Sequence, residues 1–195
     1  MIRIIKGKFK NKAVKGTEKF FHENRIRPTA NYTMQVILNI LDNNPDVKMN
    51  LSGKVVCDIC AGSGGFGFEM LSAGAEKVYF VDSNKRALDN ITATAVDFGI
   101  NDQVQTLISM TKIKEIKDKV DLIFIDPPYS EQDRILANFI SIAGKSDAIT
   151  PETLVIAECG KNIEILIQRL AIEPIFVRNI SEKTTIFAFF LKKNN

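Results

Sequence analysis

Asp126-Pro127-Pro128-Tyr129 is the stretch whose residue types and spacing best fit a chemical step. It follows Val120-Asp121-Leu122-Ile123-Phe124-Ile125, an apolar, β-branched run that reads as a buried strand. Two successive prolines end that strand, because neither can donate to a ladder and each fixes φ. A carboxylate, carbonyls without a neighbouring N–H and an aromatic ring are thus presented at a strand's C-terminal edge, where open α/β sheets bind ligands. An exocyclic amine on a base or amide is a poor nucleophile, because its lone pair is delocalised. Acceptance of its two N–H bonds by the Asp126 carboxylate and the Pro127 carbonyl draws the nitrogen toward sp³ and stabilises positive charge developing there. Tyr129 offers a face to a planar base taken out of its stack, with Pro128 beside it in the turn. Arrival of a methyl group on the amine is the chemistry these residues suit.

A donor site is written into Asp58-Ile59-Cys60-Ala61-Gly62-Ser63-Gly64-Gly65-Phe66-Gly67. Its G-x-G-x-x-G lies directly after a strand and before a helix, the context the motif requires. Ala61, Gly62, Ser63, Gly64 and Gly67 let a ligand approach backbone without meeting bulky side chains. Asp82, twenty residues past Gly62 and followed by Ser83, can accept hydrogen bonds from two ribose hydroxyls. NAD and S-adenosylmethionine both satisfy these features. Asp58 separates them, because a carboxylate sits poorly beside a pyrophosphate and well beside an ammonium and a sulfonium. Ser109 and Met110, after the third strand, are expected to face an adenine, Met110 by apolar contact. For Glu158, substrate contact and loop capping remain equally open.

The elements that must position these residues alternate from Lys54 onward. Strands are expected at 54–59, 77–81, 103–108, 120–125 and 153–157, with helices at 64–72, 84–98, 134–142 and 162–170. The last two apolar runs, 174–179 and 184–191, have no helix between them and should form an antiparallel hairpin across Ile180-Ser181-Glu182-Lys183. Repeated βα units imply an α/β, Rossmann-like fold with a mixed seven-stranded sheet covered on both faces. A boundary near residue 50 divides residues 1–50, an N-terminal extension, from the main domain at 51–195. In the extension, Ile2–Ile5 and Phe9–Val14 flank Lys6-Gly7-Lys8 as a small hairpin turning at the glycine. A helix carrying Met34, Val36, Ile37, Leu38, Ile40 and Leu41 follows, with Thr29 or Asn31 as N-cap.

Net charge is +3, unevenly spread: residues 1–27 hold nine Lys and Arg against Glu18 and Glu23. A basic arm on a mildly acidic body suits a polyanion such as nucleic acid. No apolar run is long enough for a membrane span, and no secretory signal is evident, so an intracellular, cytoplasmic protein is expected. Cys57 and Cys60 form a C-x-x-C, but only Cys159 and His22 could complete a ligand set. They read as plain cysteines, and no metal is expected.

Taken together, Ile2-Arg3-Ile4-Ile5-Lys6-Gly7, Arg27-Pro28-Thr29, Asp58–Gly67, Asp126–Tyr129, Leu154-Val155-Ile156-Ala157-Glu158 and the terminal hairpin resemble the RsmD-type family of 16S rRNA guanine-N2 methyltransferases. The resemblance implies a class I methyltransferase fold, S-adenosylmethionine as donor, and a guanine N2 in 16S rRNA or an assembling small ribosomal subunit as acceptor; a monomer is expected. It implies that Lys6, Lys8, Lys10, Arg25, Arg27 and Thr29 grip the RNA with Pro128, and that Asp126, Pro127 and Tyr129 hold the target amine. The chain departs from the family at Asn31-Tyr32-Thr33-Met34-Gln35, where an acidic residue and two arginines are usual, at Ser109 and at Cys60. Methylation of another amine, adenine N6 or a glutamine side chain, fits the turn equally. A nicotinamide-dependent oxidoreductase would leave Asp126–Tyr129 unused, and a non-catalytic RNA-binding module would rest on the basic arm alone.

Overall fold

The computed structural model describes residues 2–15, 29–160 and 163–191, with backbone alone for 29–31. Helix α1 spans Thr29–Asn43. Strand and helix then alternate through β1 (Val55–Ile59), α2 (Gly65–Ser72), β2 (Lys77–Val81), α3 (Lys85–Phe98), β3 (Val104–Leu107), β4 (Leu122–Ile125), α4 (Gln132–Ala143), β5 (Leu154–Cys159), α5 (Ile163–Arg169), β6 (Phe176–Ser181) and β7 (Thr184–Phe190). The sheet order is β3-β2-β1-β4-β5-β7-β6. The first five positions are parallel, and β7 runs antiparallel between β5 and β6. The chain reverses strand order on either side of β1 and β4, which leaves a crevice at their carboxyl ends.

Period-2 alternation divides the core in two. Val56, Val78, Phe80, Leu122, Phe124, Leu154 and Ile156 join one cluster, with Phe66, Phe68 and Met70 of α2, Ile91 and Phe98 of α3, and Val36, Ile37 and Leu41 of α1. Cys57, Ile59, Tyr79, Val81, Ile123, Ile125 and Val155 join the other, against Leu136 and Phe139 of α4 and Leu166 of α5. Asp58 pairs in register with Phe80 and Phe124, so a carboxylate occupies an apolar position on the first face.

Some local expectations shift. The N-terminal segment pairs antiparallel at one bridge, Arg3 with Ala13, and the reversal extends from Lys6 to Asn11 instead of turning at Gly7 alone. Phe9 therefore lies inside the turn, buried, with its ring 4.9 Å from that of Phe98. Thr29 and Asn31 fall in the first turn of α1, not at its cap. In the C-terminal hairpin β6 continues through Ile180 and Ser181, past a bulge, and the turn shrinks to Glu182-Lys183. Ile180 packs against the core, which keeps it in the strand. Two 3-10 turns, Asn101–Gln103 and Met110–Glu115, were not foreshadowed by periodicity.

Candidate active site

The site residues lie in the last positions of strands or just beyond them. After β1, Cys60 and Gly62 take positive φ values of 62° and 53°, and Gly64 takes 77° at the N-terminus of α2. The Ala61 amide donates to the Val81 carbonyl and the Gly62 amide to Asp82 Oδ2 at 2.8 Å, stitching the loop to the end of β2. The glycines divide the work. A Cβ on Gly62 would meet only the Cys60 carbonyl at 3.9 Å, so its outer side is open to a ligand. A Cβ on Gly67 would lie 2.2 Å from Phe80, so Gly67 brings α2 against β2 and points its amide at Asp58.

Asp58 is buried and accepts from the Gly67 amide at 3.0 Å. Burial pushes its carboxyl up to about 8; the Gly67 hydrogen bond opposes this, and the charges of Asp126 and Asp82 add to it. A cation beside Asp58 would restore its charge. Asp82 is half-buried, with its second oxygen accepting from the Asn84 amide at 2.7 Å; each oxygen keeps a further lone pair. Ser83 beside it is exposed. Ser109 caps the 3-10 turn after β3 by accepting from the Thr111 amide, and Met110 packs half-buried against the second core.

After β4, the Asp126 amide donates to the Ile59 carbonyl, continuing the β4–β1 pairing by one residue. Asp126 and Pro128 are exposed while Pro127 is buried. Pro128 closes the turn by accepting from the Glu131 amide at 2.8 Å. The Tyr129 hydroxyl meets Thr184 Oγ1 at 2.8 Å and donates to Glu158 Oε1 at 3.5 Å. Gly160 leaves the ring room, since a Cβ there would stand 3.3 Å from it.

A cavity of about 210 Å³ gathers several of these groups. Its lining includes Asp58, Asp126 and Glu158 at strand ends, the loop from Cys60 to Ser63, Glu69 of α2, Ile2 and Arg3 of the N-terminal segment, and Thr33 and Met34 of α1. Asp82, Ser109, Met110 and Tyr129 lie outside that lining, at neighbouring strand ends. A buried carboxylate held near neutrality, an open glycine and a wall of acceptors suit a ligand with a cationic amino-acid end.

The basic arm is firmly seated. Glu69 of α2 accepts from the Ile5 and Lys6 amides, each at 2.8 Å, and Ser72 accepts from the Phe9 amide and donates to the Lys6 carbonyl. A Cβ on Gly7 would fall 1.8 Å from the Ser72 carbonyl, so only glycine fits there. Lys6 pairs with Asp42 at 2.6 Å, Lys8 lies over the Phe9 ring, and Lys10 is exposed. Arg25 and Arg27 lie outside the described residues, as does the side chain of Thr29. Sequence reasoning missed Glu69, Ser72, Arg3 and Thr33; the signal for Glu69 was a lone charged side chain in the mostly apolar α2. Among the described residues there is no cluster of metal-ligating side chains and no helix long and apolar enough to cross a membrane.

The sheet order, the glycine loop after β1 and the acidic residues at β1, β2 and β4 define the class I S-adenosylmethionine-dependent methyltransferase fold. A family model described as "Conserved hypothetical protein 95" matches residues 2–188. The chain belongs to this family, and it is an RsmD-type methyltransferase. "Putative rRNA methyltransferase YlbH" of Bacillus subtilis is 28% identical over 175 residues, covering 84% of this chain and 85% of the relative. "Ribosomal RNA small subunit methyltransferase D" of Haemophilus influenzae is 24% identical over 167 residues, covering 83% and 80%. The solved structure "Putative methyltransferase yhhF from Escherichia coli" shares the fold at a TM-score of 0.73 and 17% identity, over 97% of both chains.

Proposed function

We propose that this protein methylates the exocyclic N2 amine of a guanine in 16S rRNA, with S-adenosylmethionine as donor, in the cytoplasm. The observation that carries the reading is that Asp58 and Asp126 line one cavity beneath the glycine loop. S-adenosylmethionine, when bound, supplies an electrophilic methyl group. Asp58 meets the ammonium of its amino-acid end, and the loop from Ala61 to Gly64, with Gly67 orienting Asp58, leaves room for the rest. Asp82 and Ser83 take the ribose, and Ser109 and Met110 border the adenine. Asp126 and the Pro127 carbonyl accept the two N–H bonds of the target amine, stabilising positive charge on nitrogen as the bond forms. Tyr129, held by Thr184 and Glu158, supports the base with Pro128 beside it. Lys6, Lys8 and Lys10, with Arg25, Arg27 and Thr29, face RNA phosphates. The names of the two curated relatives support an rRNA substrate.

Mass spectrometry of rRNA from cells with and without the gene tests this directly. A guanine that loses one N2-methyl group without the gene is expected; loss of an N6-methyladenine instead would move the reading to another amine. Calorimetry should show S-adenosylmethionine binding in preference to NAD. Asp126→Ala should abolish transfer while leaving donor affinity within about tenfold, since Asp126 serves the transition state.

A further inference from the structure

We propose that the Thr33 hydroxyl binds the carboxylate of the donor's amino-acid end, which makes Thr33 a donor-binding residue. The inference rests on the reading of S-adenosylmethionine as donor. Thr33 lies on α1, is 3% exposed and lines the cavity. Among the described residues, its Oγ1 is the buried side-chain polar atom with no hydrogen-bond partner. A helical threonine commonly returns its hydroxyl to the carbonyl one turn back; this one makes no such bond. A buried hydroxyl without a partner is destabilising, and a ligand atom reaching it from the cavity removes that penalty.

The chemistry of the lining decides which ligand atom it meets. An amino-acid end offers an ammonium, which only donates, and a carboxylate, which only accepts. The lining carboxylates Asp58, Glu69, Asp126 and Glu158 attract the ammonium and repel the carboxylate. Thr33 and Arg3 line the same cavity and can donate to a carboxylate. Arg3 donates Nη1 to the Asn11 carbonyl at 2.8 Å and brings a positive charge to the lining. The ammonium therefore lies toward Asp58 and the carboxylate toward Thr33.

The test compares two ligands on two proteins by calorimetry: S-adenosylmethionine and its decarboxylated analogue, on wild type and Thr33→Val. Valine keeps the shape of the side chain and removes the hydroxyl. Thr33→Val should weaken S-adenosylmethionine about tenfold, the worth of one hydrogen bond to a charged group, and leave the analogue's affinity unchanged. Thr33→Ser should restore most of the loss. The unliganded Thr33→Val protein should melt no lower than wild type, since it loses an unpaired buried hydroxyl. Equal weakening of both ligands, or no weakening of either, overturns the proposal and leaves Thr33 a packing residue. Failure of the wild type to bind S-adenosylmethionine would instead overturn the proposed donor itself.

Discussion

The Lys6 amide donates to Glu69 Oε1 at 2.8 Å, tying the first turn of the chain to the helix that leaves the glycine loop. The Ile5 amide takes the other oxygen, so a single carboxylate satisfies two part-buried donors. Ile2 and Arg3, which line the cavity, thereby lead directly into a segment fixed to the helix that leaves the loop. Glu69→Ala strands both amides, which should cost about 1–3 kcal/mol per donor left unsatisfied. Thermal melting should show the loss, and hydrogen exchange should show residues 2–14 opening first. An unaltered melting temperature would mean that this clasp contributes nothing.

Asp58 gives the protein a pH signature. Its folded pKa, about 8, lies well above the ordinary carboxylate value. A raised carboxyl pKa means the folded state holds the proton more tightly than the unfolded chain. The stability from this group is therefore full below about pH 4 and is lost as pH rises through about 8. Binding of an ammonium has the opposite demand, because the carboxylate must be ionised. Donor affinity should therefore fall as pH drops below about 8, by up to about tenfold per unit, and fall again at higher pH as the ligand's amine loses its proton. Asp58→Asn should flatten the acid limb and weaken binding at pH 8 by at least about tenfold. Calorimetry between about pH 6 and pH 9 checks both limbs.

The arm's lysines are best tested without removing the arm. Ile4, Phe9 and Val14 are core residues, so truncating residues 1–15 would damage the fold before it changed RNA binding. Lys8→Gln with Lys10→Gln removes two exposed cations instead. Each phosphate contact on a single strand contributes about 0.7 to the salt slope. If both lysines meet RNA, the slope of log affinity against log salt should fall by about 1.4. Filter binding across a salt series measures it, and an unchanged slope removes both residues from the interface.

Much of this was legible because strands and tight turns write local patterns. The alternation of Val56, Asp58 and Cys57, Ile59 sets which side of the sheet each residue meets, and Gly62 and Gly64 mark positions of positive φ. The turn after β4 was readable from its two prolines alone. What the pattern could not show is pairing at long range. Glu69 and Lys6 stand 63 residues apart, and nothing near either names the other. Phe9 read as a strand residue because its alternation with lysines is also satisfied by a turn whose backbone is held by Ser72. Thr33 was invisible for another reason: an unpartnered hydroxyl is a property of its surroundings, and the helical pattern around it says only that it faces inward.

Two glycines of the same motif should fail differently. Gly67→Ala puts a Cβ 2.2 Å from Phe80 and 2.8 Å from Val78, both in the core between α2 and β2. Overpacking of this kind costs about 1–3 kcal/mol, or about 2–12 °C in melting temperature for a chain of this length. Any effect on the donor would pass through the Gly67 amide and Asp58. Gly62→Ala meets no close atom, yet forces a side chain to φ near 53° and places a methyl on the side open to the ligand. Its strain is about 1–2 kcal/mol, and the larger share of its effect should fall on donor affinity. Melting and calorimetry on the two variants should therefore rank them in opposite orders. If Gly62→Ala lowers melting more than Gly67→Ala and binds the donor as well as wild type, the open side of the loop is not where the donor lies.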